Sequence, residues 1–183
     1  MSKRFNKSQN TAGRSLGQGM LIASFVLALG GMTFFFDSQL ERQYNPNRNP
    51  RGSETGSRVK EVILEQNRQG HYVASGSVNG VDVVFLLDTG ATDVAISPEL
   101  ANEAGLQVGY ATQAMTANGI ITVYSTKIDS LTISNISLRN VDGSINPGMA
   151  GSTILLGMSV LKEIEFSQIG STLTLRQYPE TRL

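Results

Sequence analysis

The side chains best suited to chemistry cluster at Asp88. It follows the apolar run Val83-Val84-Phe85-Leu86-Leu87 and opens the sequence Asp88-Thr89-Gly90-Ala91. Such a run predicts a strand buried on both faces. A carboxylate at its end leaves an apolar setting, where an unpaired charge is expensive unless hydrogen bonds or a partner satisfy it. An acid held in that way can exchange a proton with water or with a substrate carbonyl. The plainer reading makes Asp88 a turn cap, with Thr89 and Gly90 as ordinary turn residues. A second apolar run, Ile154-Leu155-Leu156, ends in Gly157 and leads into Met158-Ser159-Val160-Leu161-Lys162-Glu163-Ile164, which predicts a short helix.

Composition removes most competing chemistries. The chain has 183 residues, room for one compact domain with appendages. Fifteen basic side chains balance fifteen acidic ones, which argues against a nucleic-acid partner bound through a strongly basic surface. Without cysteine there are no disulfides, thiolate nucleophiles or Cys-ligated metals, and the single histidine, His71, nearly removes two-histidine metal motifs. Neither a metal nor a cofactor is expected. A Ser-His-Asp triad would have to use His71, yet no Gly-x-Ser-x-Gly elbow is present. Gly76 and Gly80 form no phosphate loop, since no Gly-Lys-Ser/Thr follows them.

The elements that must position Asp88 come after an apolar segment. Residues 17–36 are uncharged and, as a helix rising ~1.5 Å per residue, would be about 30 Å long, enough to cross a bilayer. Lys3, Arg4, Lys7 and Arg14 precede it, whereas Asp37 and Glu41 dilute Arg42, Arg48 and Arg51 after it. The positive-inside rule therefore keeps residues 1–16 in the cytoplasm and sends the rest outward. The segment ends in Thr33-Phe34-Phe35-Phe36, which suits an uncleaved anchor better than the small-residue cleavage site of a signal peptide. Residues 37–58 are rich in Asn, Pro, Arg, Gly and Ser and read as a flexible tether. The domain is expected over 59–178, with 179–183 a frayed tail.

Within that domain, short apolar runs alternate with Gly and Asn at the spacing of an all-β sandwich or barrel. Asn79-Gly80 and Asn118-Gly119 each lie between apolar runs and predict hairpins, because both residue types tolerate positive φ. Further strands are expected at 130–133, 137–141 and 173–177. Ser97 can cap a short helix with Pro98 in its first turn, Glu99 complementing its dipole and Gly105 ending it.

These residues resemble the retropepsin-like aspartic proteases over about Val59 to Tyr178. The order of FLLDTGA, the Asn118-Gly119 hairpin and ILLGMSVL is that of the family's catalytic loop, flap and loop-supporting element. With the apolar N-terminal segment, the likeness is greatest to the bacterial membrane-bound branch. The resemblance implies an all-β closed barrel with a flap hairpin and one or two short helices, preceded by one transmembrane helix. It implies that Asp88 is catalytic, that Thr89, Gly90, Ala91 and Gly157 support its loop, and that Ala117, Asn118 and Gly119 form the flap tip over an extended polypeptide. Two departures from the retroviral pattern are Thr92 and Met158, where an acid and an arginine commonly pair. A different packing solution is implied there.

Such enzymes use two carboxylates that share a proton. Asp37, Asp82, Asp93, Asp129 and Asp142 are none of them followed by Thr-Gly or Ser-Gly, so the second acid must come from another Asp88 in a twofold homodimer. Thr89, by resemblance, reaches across that axis. The expected protein is an aspartic endopeptidase in a bacterial inner membrane with its domain on the periplasmic side. The alternative is a catalytically silent domain of the same fold that binds peptides or plays a structural role.

Overall fold

The computed structural model describes residues 11–116 and 119–179, except for the side chains of residues 11–16 and 38. The chain divides into two units at Glu41 and Arg42. Helix α1 (Thr11–Tyr44), of which all but the last three residues belong to the first unit, carries the apolar segment, whose described side chains are exposed. Its length and composition allow it to cross a membrane, as a signal sequence's would. Its hydroxyls are satisfied within the helix: Ser24 Oγ donates to the Met20 carbonyl and Thr33 Oγ1 to that of Leu29, at 2.8 and 2.9 Å. Neither hydroxyl therefore needs a partner outside the helix.

The second unit is mostly β. In chain order it comprises β1 (Gly52–Glu54), β2 (Lys60–Glu65), β3 (Val73–Val78), β4 (Val81–Leu87), β5 (Val94–Ile96), α2 (Pro98–Glu103), β6 (Ala111–Thr116), β7 (Gly119–Ile133), β8 (Ile136–Ile145), β9 (Thr153–Leu156), α3 (Met158–Leu161), β10 (Glu165–Ile169) and β11 (Thr172–Gln177). Strands β3, β4, β9, β5, β8 and β7 form a ring, closed where Ser77 and Val78 of β3 meet Thr132 and Leu131 of β7. Beside them, a Cβ on Gly76 would overlap the Thr132 carbonyl and the Phe85 ring. Only glycine admits that approach, so closure of the barrel depends on Gly76. Phe85, Ile96, Ile128, Leu131, Ile154 and Leu156 fill the core. Strand β6 extends from β7 outside the ring, and a second sheet runs β1-β2-β11-β10.

The local signals behave as their chemistry requires. Asn79 and Gly80 adopt φ of 49° and 84° in the β3–β4 turn. Ser97 Oγ accepts from the Leu100 amide at the start of α2, and Gly105, at φ 66°, follows its end. Four expectations change. Val83–Leu87 is not buried on both faces: Val83 and Phe85 are buried, whereas Val84, Leu86 and Leu87 are half-buried. The expected strand at 130–133 is the end of the long β7, and α3 stops at Leu161, short of Ile164.

The fourth change concerns the tether. Helix α1 continues to Tyr44, and Asn45 and Asn47 are buried in the second unit. Asn47 Nδ2 donates to the carbonyls of Glu65 and Val73, while its Oδ1 accepts from the Glu65 amide, at 2.9, 2.7 and 2.8 Å. The Ser75 amide donates to the Asn47 carbonyl, and β1 pairs with β2. The side chain of Asn47 thus bridges β2 and β3 where strand pairing leaves backbone groups open. Much of 37–58 is ordered structure because its asparagines answer the backbone's needs.

Candidate active site

Asp88 stands where β4 ends, half-buried, with Thr89 and Gly90 exposed beside it. Parallel pairing of β4 with β9 carries Leu87 alongside Leu156, and the Asp88 amide donates to the Leu156 carbonyl at 3.1 Å. The Asp88 carboxylate accepts from the Gly90 amide through Oδ1 at 2.8 Å. The Ala91 amide donates back to the Asp88 carbonyl at 3.2 Å. The loop is thus a tight hydrogen-bonded turn that fixes one carboxylate oxygen and presents the other.

Its far side rests on Gly157 and α3. The amides of Met158 and Ser159 donate to the carbonyls of Ala91 and Thr92, both at 2.9 Å. The helix start thereby spends two of its free N–H groups on the loop. A Cβ on Gly157 would overlap the Asp93 carbonyl and press against that of Ala91. Met158 is bonded to Ala91 and Thr92 to Ser159, so main-chain hydrogen bonds join the loop to α3 at the two positions where the resemblance leads one to expect an ion pair. Thr89, Gly90, Ala91 and Gly157 are therefore brought together around Asp88.

Of the expected flap tip, Ala117 and Asn118 lie outside the described residues. Gly119, at φ 112°, pairs with Thr116 across the β6–β7 hairpin, and Thr116 Oγ1 donates to the Gly119 carbonyl at 2.8 Å. Met115 and Ile120, which face each other just below the tip, are largely exposed. Exposed apolar side chains on an arm outside the barrel suit contact with another molecule. His71 is exposed. Among the described residues no cluster of His, Asp and Glu could hold a metal.

Sequence reasoning missed two neighbours of this loop. Asp93 accepts from Ser144 Oγ at 3.1 Å, and burial holds its carboxyl above the ordinary carboxylate range despite that bond. Tyr72 borders a cleft of about 290 Å³ that Asp88, Thr89, Leu161 and Phe166 also line. Nothing in the sequence except its place beside His71 drew attention to it. Beyond the site, Arg176 bridges Glu61 and Glu165 at 2.7 and 2.9 Å, and Tyr178 Oη donates to Glu165 at 2.6 Å. Hydrogen bonds from Tyr178 and Arg176 hold the Glu165 carboxyl below its ordinary range.

Among solved structures, this chain is similar to a retropepsin-like aspartic protease from Rickettsia conorii. That structure matches with a TM-score of 0.58 and 30% sequence identity, over 69% of this chain and 96% of the other. This chain belongs to the retropepsin-like aspartic protease family. Within this retropepsin-like chain, residues 74–163 match the family model described as "gag-polyprotein putative aspartyl protease". An uncharacterized protein in the cobV 5'region of Sinorhizobium sp is 31% identical over 113 residues, 60% of this chain and 48% of the relative. The uncharacterized protein RP867 of Rickettsia prowazekii (strain Madrid E) is 30% identical over 123 residues, 66% of this chain and 52% of the relative. The chain spans about half the length of the curated relatives it matches.

Proposed function

We propose that this protein is a membrane-anchored, homodimeric aspartic endopeptidase that cleaves extended polypeptides. The observation that carries the reading is the Asp88 turn, in which the Gly90 amide engages Oδ1 while the carboxylate stays accessible at the end of a barrel strand. With one Asp-Thr-Gly per chain, a second copy supplies the second acid. Two carboxylates about 3 Å apart do not both ionise readily, so they share one proton.

In that pair the ionised carboxylate takes a proton from a water molecule, whose oxygen attacks the scissile carbonyl. The protonated partner gives its proton to the carbonyl oxygen, forming a neutral gem-diol. Proton return to the amide nitrogen then releases the amine and leaves the new carboxylic acid. Amides at the loop backbone keep Asp88 in place throughout, and Thr89 reaches toward the partner loop. The β6–β7 arm, tipped by Ala117, Asn118 and Gly119, covers a substrate held as an added strand, with side chains in alternate pockets. Helix α1 anchors the enzyme in a bacterial inner membrane with the barrel on the periplasmic side, as the charge bias around residues 17–36 favours.

The test is to incubate the full-length protein in liposomes with a diverse peptide pool, with and without an aspartic-protease inhibitor, beside Asp88→Asn. Cleavage that the inhibitor and the substitution both abolish is expected. Cleavage that survives Asp88→Asn removes Asp88 from the mechanism. No cleavage of any peptide favours the silent, peptide-binding alternative.

A further inference from the structure

Residues 45–51, Asn-Pro-Asn-Arg-Asn-Pro-Arg, join α1 to β1 and are held more tightly than a plain connection requires. Asn45 Oδ1 accepts from the Asn47 amide and its Nδ2 donates to Ser75 Oγ, both at 3.0 Å, while the Asn47 side chain is bonded to β2 and β3. Pro46 and Pro50 fix two further φ angles. The backbone is stiff, yet Arg48 and Arg51, which it displays, are exposed. Together with Arg42, in the last turn of α1, they line one cleft of about 840 Å³ whose single acid is Glu65. Ile63, 49% exposed on β2, gives that cleft an apolar wall. Neither Arg42 nor Arg51 makes an ion pair among the described residues.

We propose that this cleft binds the headgroup phosphate of an anionic phospholipid, with Arg42, Arg48 and Arg51 as its cationic ligands. Three guanidiniums around one hollow favour an anion, and their planar N–H forks match phosphate oxygens in pairs. A loop already held in place loses little freedom on binding. The order of the chain selects a lipid among phosphates: Arg42 follows Phe36, the end of the apolar segment, within about two turns of α1, and Arg48 and Arg51 come next. With α1 in a bilayer, these are the first cations that the chain places beyond it. A phospholipid also joins its phosphate to a glycerol ester, which suits arginines beside an exposed isoleucine better than inorganic phosphate does. The inference rests on the reading of α1 as an uncleaved anchor and is independent of whether Asp88 cleaves anything.

Because the chain has no cysteine, Asn49→Cys can carry an environment-sensitive fluorophore in this cleft of the full-length protein. In phosphatidylcholine vesicles containing increasing phosphatidylglycerol, its emission should shift to shorter wavelength and saturate. In phosphatidylcholine alone it should not shift, even with excess inorganic phosphate. Arg42→Gln, Arg48→Gln and Arg51→Gln should each raise the phosphatidylglycerol fraction at half-shift about five-fold, and the three together should abolish the shift. A control that loses as much charge from a separate cleft, Lys60→Gln with Arg139→Gln and Lys162→Gln, should keep it. Adding Asp88→Asn should also leave it intact, so loss of cleavage and loss of lipid binding are read separately. An equal loss in the control would overturn the site in favour of general charge attraction, and a shift with inorganic phosphate alone would overturn the lipid as its ligand. Emission independent of phosphatidylglycerol would overturn both. Failure of the protein to float with vesicles of either composition would overturn the anchor reading, and this inference with it.

Discussion

Gly157 and Asp93 are packed so closely that a methyl group on Gly157 would overlap the Asp93 carbonyl oxygen. The contact joins the start of α3 to the loop that holds Asp88, and both partners are backbone, so neither can swing aside. Gly157→Ala should therefore destabilise the domain by about 1 to 3 kcal/mol, the usual cost of overpacking. It should also lower cleavage in the surviving folded fraction by moving the loop. Urea denaturation and peptide turnover measure the two effects. An alanine variant with wild-type stability and turnover would show that the loop tolerates displacement.

Asp88→Asn should keep the fold, because an amide oxygen still accepts from Gly90, and should lose cleavage by on the order of 10² to 10⁴-fold, the range general acid–base catalysis contributes. In the unsubstituted protein the rate should form a bell on the acid side of neutrality. A profile flat from acid to alkaline pH argues against a shared proton.

Asp93 offers a stability test. Burial raises its native pKa above 3.8, so the folded state holds this proton more tightly than the unfolded chain. Ionisation therefore costs stability as pH rises from 3.8 through the raised native value, and nearby Asp142 adds to the cost. Asp93→Asn can still accept from Ser144. Its stability relative to wild type should improve across that window and stay level above it. Denaturation midpoints that run parallel at all pH values would rule out the effect.

Glu165 behaves in the opposite sense. Tyr178 and Arg176 lower its pKa below 4.5, so its contribution is present above that value and fades as pH falls through the native one. The group is exposed, which keeps the effect small and sensitive to salt. A stability difference between wild type and Glu165→Gln should appear at neutral pH and close in acid. If it persists unchanged in strong acid, the ion pair is not its source.

Asn47→Ala removes three side-chain hydrogen bonds and leaves the Glu65 amide and the Glu65 and Val73 carbonyls without that partner. Each buried group left unsatisfied costs about 1 to 3 kcal/mol. The variant should melt well below wild type, and a fragment beginning at Val59 should be less stable than one beginning at Arg42. Equal melting temperatures for the two fragments would show that residues 42–58 add nothing to the barrel.

What could be read from the sequence was local or chemically marked. Asn79-Gly80 turns because its own φ angles allow it, Ser97-Pro98 starts a helix through bonds three residues long, and Asp88-Thr89-Gly90 announces a carboxylate in a tight turn. The long-range pairings decided the rest. Closure at Gly76 against Thr132, the parallel match of β4 with β9, and the seat of Gly157 under Asp93 all join residues tens of positions apart. Composition counted Asn45 and Asn47 as solvent-seeking, yet their amides are buried because strands distant in sequence left carbonyls and an amide to be met. Tyr72 carried no motif at all. Its place in the cleft beside Asp88 and Thr89 is set only by the fold.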